Sequence, residues 1–161
     1  MTSTDSCEIA RVAVRMRATL QEVLGPAGRA LYSSQWLVDR VHFHLDRKRS
    51  NGRIWLASHQ GGRSIGHVIA RIEAGEPDGP LGLISTVYIH PSWRRKAVAS
   101  HLIEYAEAWL VRQGARQIAT DTSDTNTPLI RLFEARGYST TYRAHEKQML
   151  RLSRQVTLQV N

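Results

Sequence analysis

In the stretch HPSWRRKAVASHL, His90 to Leu102, three cations (Arg94, Arg95 and Lys96) stand immediately before a segment with helical spacing. A helix start already has positive character, because four amides lack internal partners and the macrodipole adds to them, so anions gather there. Acidic residues usually fill that role, yet no Asp or Glu occurs between Asp78 and Glu104. Each exposed cation at such an end costs roughly 0.3–1 kcal/mol, and a bound polyanion reverses the sign. Ala97, Val98, Ala99 and Ser100 fit an anion site: small residues let a ligand approach the backbone while Val98 anchors the turn in the core. The alternative is a solvated basic turn before an ordinary amphipathic helix, and charge alone leaves both open.

Other reactive groups are sparse. Cys7 is the only cysteine; it allows no internal disulfide and, in a polar terminal stretch, reads as inert. His42 and His44 have the wrong spacing for two ligands on one helical face, and the other histidines are scattered, so no metal site is expected. His67, on a central strand, and His90, beside the basic turn, could serve as bases, but a structural role is the favoured reading.

The elements that must position these groups follow from periodicity. Ile9, Val12, Ala13, Met16, Leu20 and Val23 have helical spacing, although Ile9–Val14 alone also suits a short strand. A second amphipathic helix covers Trp36 to Leu45 and ends in the polar run Asp46 to Gly52. The period then shortens: Ile54–Ser58 and Ser64–Ile72 read as strands joined by the hairpin Gln60-Gly61-Gly62, and Leu83–Ile89 is a third. After Pro91 a helix places Val98, Leu102, Tyr105, Ala106 and Trp109 on one face, with Gly114 as its C-terminal cap. Gln117–Thr120 is a short strand, Thr127–Arg136 a short helix closed by Gly137, and Tyr138–Leu152 is strand-like and broken near Ala144.

A chain of 161 residues with 42% apolar content buries one sizeable core, so residues 1–161 are read as a single domain. Twenty-two Lys and Arg against 14 Asp and Glu give +8, which predicts an anionic partner. No apolar run approaches the roughly 18 residues of a membrane span, nothing near Met1 resembles a signal peptide, and the expected location is cytoplasmic. Nucleic-acid binding is disfavoured because the basic residues are dispersed from Arg11 to Arg154 instead of lining one face with aromatics.

The segment VYIHPSWRRKAVASHLI resembles the acetyl-coenzyme A signature of the GNAT N-acetyltransferase superfamily: a strand ending in V-x-P, then Arg/Gln-x-x-Gly-x-Gly/Ala at a helix start. Here these are Ile89-His90-Pro91 and Arg94 to Ala99. Further on, NTPLIRLFEARGY is similar to the second family element, through Asn126, Leu132, Phe133, Gly137 and Tyr138. The resemblance covers roughly 54–152 and implies an α+β fold, a mostly antiparallel sheet splayed at its middle and flanked by helices. It also implies acetyl-CoA as cosubstrate. The amides of Arg95, Lys96, Ala97, Val98, Ala99 and Ser100 would hold the pyrophosphate, with Arg94 in the same turn, and the backbone of Val87 to Ile89 would pair with pantetheine. Ala97 replaces the signature Gly, where a methyl would meet a phosphate or a positive φ.

The implied reaction is direct attack of a neutral primary amine on the thioester in a ternary complex. The family's frequent carboxylate before the signature is Ser85 or Thr86 here, and its frequent tyrosine is Phe133. Asp121 is the candidate base, acting through a water, with helix or turn capping as its alternative; Asp124 is read as a cap. Tyr88 and Tyr142 are the candidate proton donors. The acceptor is expected to be a small molecule, with a likeness to the aminoglycoside 6'-N-acetyltransferase branch. A protein or peptide acceptor, or a module that binds coenzyme A or nucleic acid without turnover, is the alternative. Glu73, Glu76 and Asp78 form one acidic cluster suited to a cation. The alternation of Val156–Val160 suggests a strand that pairs two copies into a homodimer.

Overall fold

The first segment, ambiguous by period, is a helix: α1, Ser6–Leu24, buries Ile9, Val12 and Ala13 on one side, which a strand's alternation cannot do. A computed structural model describes residues 1–2, 5–74 and 77–157 of the chain. Asp5 accepts the Glu8 amide at the start of α1 (3.1 Å), and Gly25 ends it at φ +67°. A short helix invisible to periodicity, α2 (Pro26–Ala30), begins at a proline whose φ is already helical. α3, Ser34–Leu45, is capped by Ser33 Oγ on the Trp36 amide at 3.0 Å and buries Leu37, Val41 and His44.

Six strands form one sheet in the order β1-β2-β3-β4-β6-β5. They are β1 Asn51–Ser58, β2 Ser64–Glu73, β3 Leu81–Ile89, β4 Gln117–Ser123, β5 Ser139–Ala144 and β6 Met149–Gln155. All neighbours run antiparallel except β3 and β4. β1 begins at Asn51, inside the polar run, because backbone pairing with Ile72 does not require an apolar side chain. The expected break near Ala144 is a turn of 3-10 helix, His145–Lys147, between β5 and β6.

The parallel pair holds only from Leu81 opposite Gln117 to Leu83 opposite Ala119. A last link joins Thr120 Oγ1 to the Ile84 carbonyl at 2.9 Å. Both strands continue, β3 to Ile89 and β4 to Ser123, so the sheet is splayed at its middle, as the resemblance implies.

Between β3 and β4 the chain passes through a 3-10 turn, Pro91–Trp93, the basic turn and α4, Val98–Arg112. α4 buries Leu102, Ile103, Ala106, Trp109 and Leu110 against Val68, Ala70, Ile84, Ile118 and Phe133, the last from α5, Thr127–Glu134. Tyr105 departs from the expected face and is 67% exposed, since it lies about 100° around the helix from the centre of that stripe. On the opposite face α1 and α3 pack Ile9, Val12, Leu37 and Val41 over Ile54 and Ile69. Alternation along β2 sends Ile69 to one core and its neighbours Val68 and Ala70 to the other.

Of the terminal run, Val156 packs against the α4-side core, and its amide donates to the Arg116 carbonyl at 2.9 Å. Residues 158–160 lie outside the described residues, as does Glu76 of the acidic cluster. Among the described residues no helix is long and apolar enough to cross a membrane.

Candidate active site

The basic turn has an unusual backbone. Arg95 and Ala97 both adopt left-handed conformations, φ +60° and +61°, with Lys96 between them outside that region. Such alternation turns successive amides toward a common centre and forms an anion-binding concavity. Ala97, the N-cap of α4, shows how the chain accommodates a methyl at the signature glycine: it accepts the positive φ, at about 1–2 kcal/mol. The amides of Val98, Ala99 and Ser100 belong to the first turn of α4, where no helical carbonyl is available.

The three cations divide their work. Arg94 Nε donates to the Ile89 carbonyl at 2.9 Å, and its Nη2 pairs with Glu22 Oε1 on α1, also at 2.9 Å. It therefore ties the end of β3 to the opposite wall. Lys96 lies over the Trp93 ring, 4.9 Å from its centroid, and both Arg95 and Lys96 are exposed.

Where β3 and β4 part, a cleft of about 360 Å³ opens, walled by Ser85–Val87, Thr120–Ser123 and Asn126 on one side and by α1 and α3 on the other. Val87 lines it, whereas the Ile89 side chain is buried in the α4-side core. Asn126, not Asp124, stands at the N-cap of α5, and its Nδ2 donates to Thr122 Oγ1 at 3.1 Å. Phe133 is fully buried with its ring edge-on to Tyr138, so it presents no surface to a ligand and serves to hold α5.

Asp121 lines the cleft and, among the described residues, caps no helix; Arg151 on β6 donates to both its carboxylate oxygens. Tyr142 on β5 lies opposite the same arginine and shares a shallow hollow with Asp121. Asp121, Arg151 and Tyr142 thus form one row across three strands. Tyr88 is elsewhere: its ring stacks on His67, with the guanidinium groups of Arg15 and Arg94 above it at 5.5 and 5.9 Å. His67 is completely buried, and loss of hydration, then Arg15, holds it down to about 3. His90 Nδ1 accepts the Ser92 amide and caps the 3-10 turn.

Three basic side chains that the sequence reading did not assign to the site also line this cleft: Arg40, His44 and Arg71. The spacing of Leu37, Val41 and His44 marks His44 as inward-facing, but no periodic signal brings Arg71 of β2 beside Arg40 of α3. Arg71 donates to Glu73 and, through Nη1, to Ser85 Oγ at 2.9 Å. Glu73 of the expected acidic cluster is thereby engaged by an arginine. His44 is pushed down to about 3 by burial, then by Arg40 and Arg71.

The family model for the acetyltransferase (GNAT) family matches residues 18–138. Aminoglycoside N(6')-acetyltransferase type 1 of Salmonella typhimurium is 31% identical over 86 residues, which are 51% of this chain and 59% of the relative. The chain therefore spans a little over half the length of that relative. Among solved structures, an aminoglycoside 6'-acetyltransferase type Ii superposes with a TM-score of 0.73 at 13% identity, covering 99% of this chain and 96% of that one. The aminoglycoside N-acetyltransferase AAC(6')-Iy, solved with CoA, gives 0.65 at 21% identity, covering 89% and 88%. At such identities these structures speak to fold, and the fold they share has the same mixed, mostly antiparallel sheet. With the signature turn, the parted parallel strands and a family match over most of its length, this chain belongs to the acetyltransferase (GNAT) family.

Proposed function

We propose that the protein transfers the acetyl group of acetyl-CoA to the primary amine of a small molecule, by direct attack within a ternary complex. The observation that carries this reading is the parting of β3 and β4 after Leu83 and Ala119, with the left-handed turn of Arg95 and Ala97 at the far end of the opening. The residues fit acetyl-CoA. The amides of Arg95 to Ser100 would hold its pyrophosphate, and the β3 edge from Val87 to Ile89 would pair with its pantetheine arm. Bound there, it supplies an activated acyl thioester.

The chain's own groups handle position and protons. A water held by Asp121 takes the amine proton and passes it to the Asp121 carboxylate, which Arg151 orients by donating to both its oxygens. Tyr142, exposed in the same row, is favoured as donor to the departing thiolate over Tyr88, whose ring is packed between His67 and two guanidinium groups. Cys7, exposed at the start of α1 and absent from the cleft lining, is not a nucleophile in this scheme. A homodimer joined along the exposed outer strand β5 belongs to the same proposal.

The test is calorimetric titration with acetyl-CoA, followed by an amine panel read by release of free thiol. Binding together with turnover of at least one amine, unaffected by Cys7→Ser, supports the reading. Failure of acetyl-CoA to bind, or ping-pong kinetics abolished by Cys7→Ser, overturns it.

A further inference from the structure

The charges of the cleft constrain the acceptor. Among its described lining residues, Asp121 is the one carboxylate, and Arg151 already holds it; Arg40, His44 and Arg71 are basic. A polycation would enter against two guanidinium groups and find the one carboxylate among the described lining residues already paired.

The three basic groups are not equally committed. Arg71 is satisfied by Glu73 and Ser85. Arg40 lies over the Phe43 ring at 4.5 Å and, among the described residues, forms no ion pair with a carboxylate. Burial depresses its basicity first and the nearby Arg71 second, with Glu73 opposing them, as for a partly dehydrated cation beside another. His44, 1% exposed, has an Nδ1 with no hydrogen-bond partner, although a buried imidazole nitrogen normally finds one. An anionic oxygen in this part of the cleft would meet Arg40 by a charge-assisted bond, with the neutral His44 ring adding no competing carboxylate beside it.

The helical side of the lining is mostly apolar, whereas the strand side carries the hydroxyls of Ser85, Thr86, Thr120, Thr122 and Ser123. α1 contributes Met16, Leu20 and Val23, and Tyr32 stacks flat on Trp36 with ring centroids 3.9 Å apart. Such walls suit an aromatic or aliphatic body.

Resting on the acetyltransferase reading above, we propose that the acceptor is a zwitterion: a primary amine bearing its own carboxylate and an apolar body, of the class of aromatic amino acids. The carboxylate sits at Arg40, beside the buried His44, and the amine turns toward the thioester side of the cleft. A peptide N-terminus lacks the adjacent carboxylate and is a poor acceptor on this view, as are aminoglycosides and polyamines.

The experiment compares L-phenylalanine, phenethylamine, a phenylalanyl dipeptide, kanamycin and spermidine as acceptors, with acetyl-CoA binding measured separately. Wild type is expected to favour phenylalanine over phenethylamine by about tenfold or more in kcat/KM, the scale of one charge-assisted bond. Arg40→Gln should erase that preference without changing the affinity for acetyl-CoA, whereas Arg40→Lys, which keeps the charge but not the fork, should retain part of it. Should turnover be too slow to compare, N-acetylphenylalanine and N-acetylphenethylamine titrated into the CoA-saturated protein test the same point, with the carboxylate form expected to bind more tightly. Equal use or equal binding of the two members of either pair, or a preference for kanamycin, spermidine or the dipeptide, overturns the proposal. Loss of acetyl-CoA binding by wild type would instead sink the enzyme reading itself.

Discussion

Asp121 and Arg151 face each other across the β4–β6 ladder, and the guanidinium donates to both carboxylate oxygens, Nε to Oδ1 at 2.7 Å and Nη2 to Oδ2 at 2.9 Å. An exposed pair of this kind adds only about 0–1 kcal/mol to stability, so its weight lies in orienting a carboxylate at the cleft wall. Asp121→Asn is therefore expected to lower kcat by about 10²-fold, the scale of a lost general base, and to flatten the rise of rate with pH while the KM for acetyl-CoA stays unchanged. Rates of thiol release measured across pH would show it; an unaltered profile would assign the base elsewhere.

The cations of the signature turn should separate by role. Arg95→Glu and Lys96→Glu, both at exposed positions, should weaken acetyl-CoA binding by about 1–3 kcal/mol each, and raised salt should shrink the difference. Arg94→Glu breaks a link to Ile89 and Glu22 as well, so it should also lower the melting temperature. Equal calorimetric affinities for wild type and the Arg95 and Lys96 variants would remove this turn as the phosphate site.

Ala97→Gly tests the strained turn. Ala97 sits at φ +61° outside the helix proper, where glycine has no steric penalty. Unfolding free energy should hold or rise by up to about 1 kcal/mol, and acetyl-CoA should bind at least as tightly. A loss near 1 kcal/mol, as for glycine inside a helix, would contradict the assigned geometry.

Glu107 is the buried electrostatic knot of the α4 face. At 7% exposure it accepts from Tyr138 Oη at 2.8 Å and from Arg136, with Arg154 at 3.5 Å. Its presence holds the Arg136 guanidinium charged more firmly than usual. Glu107→Ala leaves these donors unmatched and should cost about 3–5 kcal/mol in urea unfolding. A cost below about 1 kcal/mol would mean that the site rehydrates freely.

Acid should destabilise the fold through two histidines. His44 and His67 are each held down to about 3 from the ordinary 6.5, chiefly by burial. The unfolded chain takes up protons at the ordinary value and the folded chain does not, so this stability is complete above about pH 6.5 and is lost progressively below it. Each residue contributes a slope approaching about 1.4 kcal/mol per pH unit, or roughly 3–5 °C in melting temperature. Among the described residues both ring nitrogens of His67 lack partners, so His67→Phe should fold well and remove one residue's slope, about half of the combined acid sensitivity. A wild-type melting temperature constant from about pH 7 to 5 would refute the argument.

What the sequence determined by itself was local chemistry. Ile89-His90-Pro91, the cations Arg94 to Lys96 and the small residues after them lie within a few positions of one another. Helix-start electrostatics therefore acts on them wherever the chain folds, and the strand and helix periods around them follow from which face is buried. The tertiary structure decided what depends on strands distant in sequence. Asp121, Arg151 and Tyr142 share a row only because β6 inserts between β4 and β5. Arg94 meets Glu22, and Arg40 and His44 gather beside Arg71, only because α1 and α3 cross the sheet at the cleft. Local preference carries no information about such pairings, since each partner is free to be solvated until packing brings the other within reach.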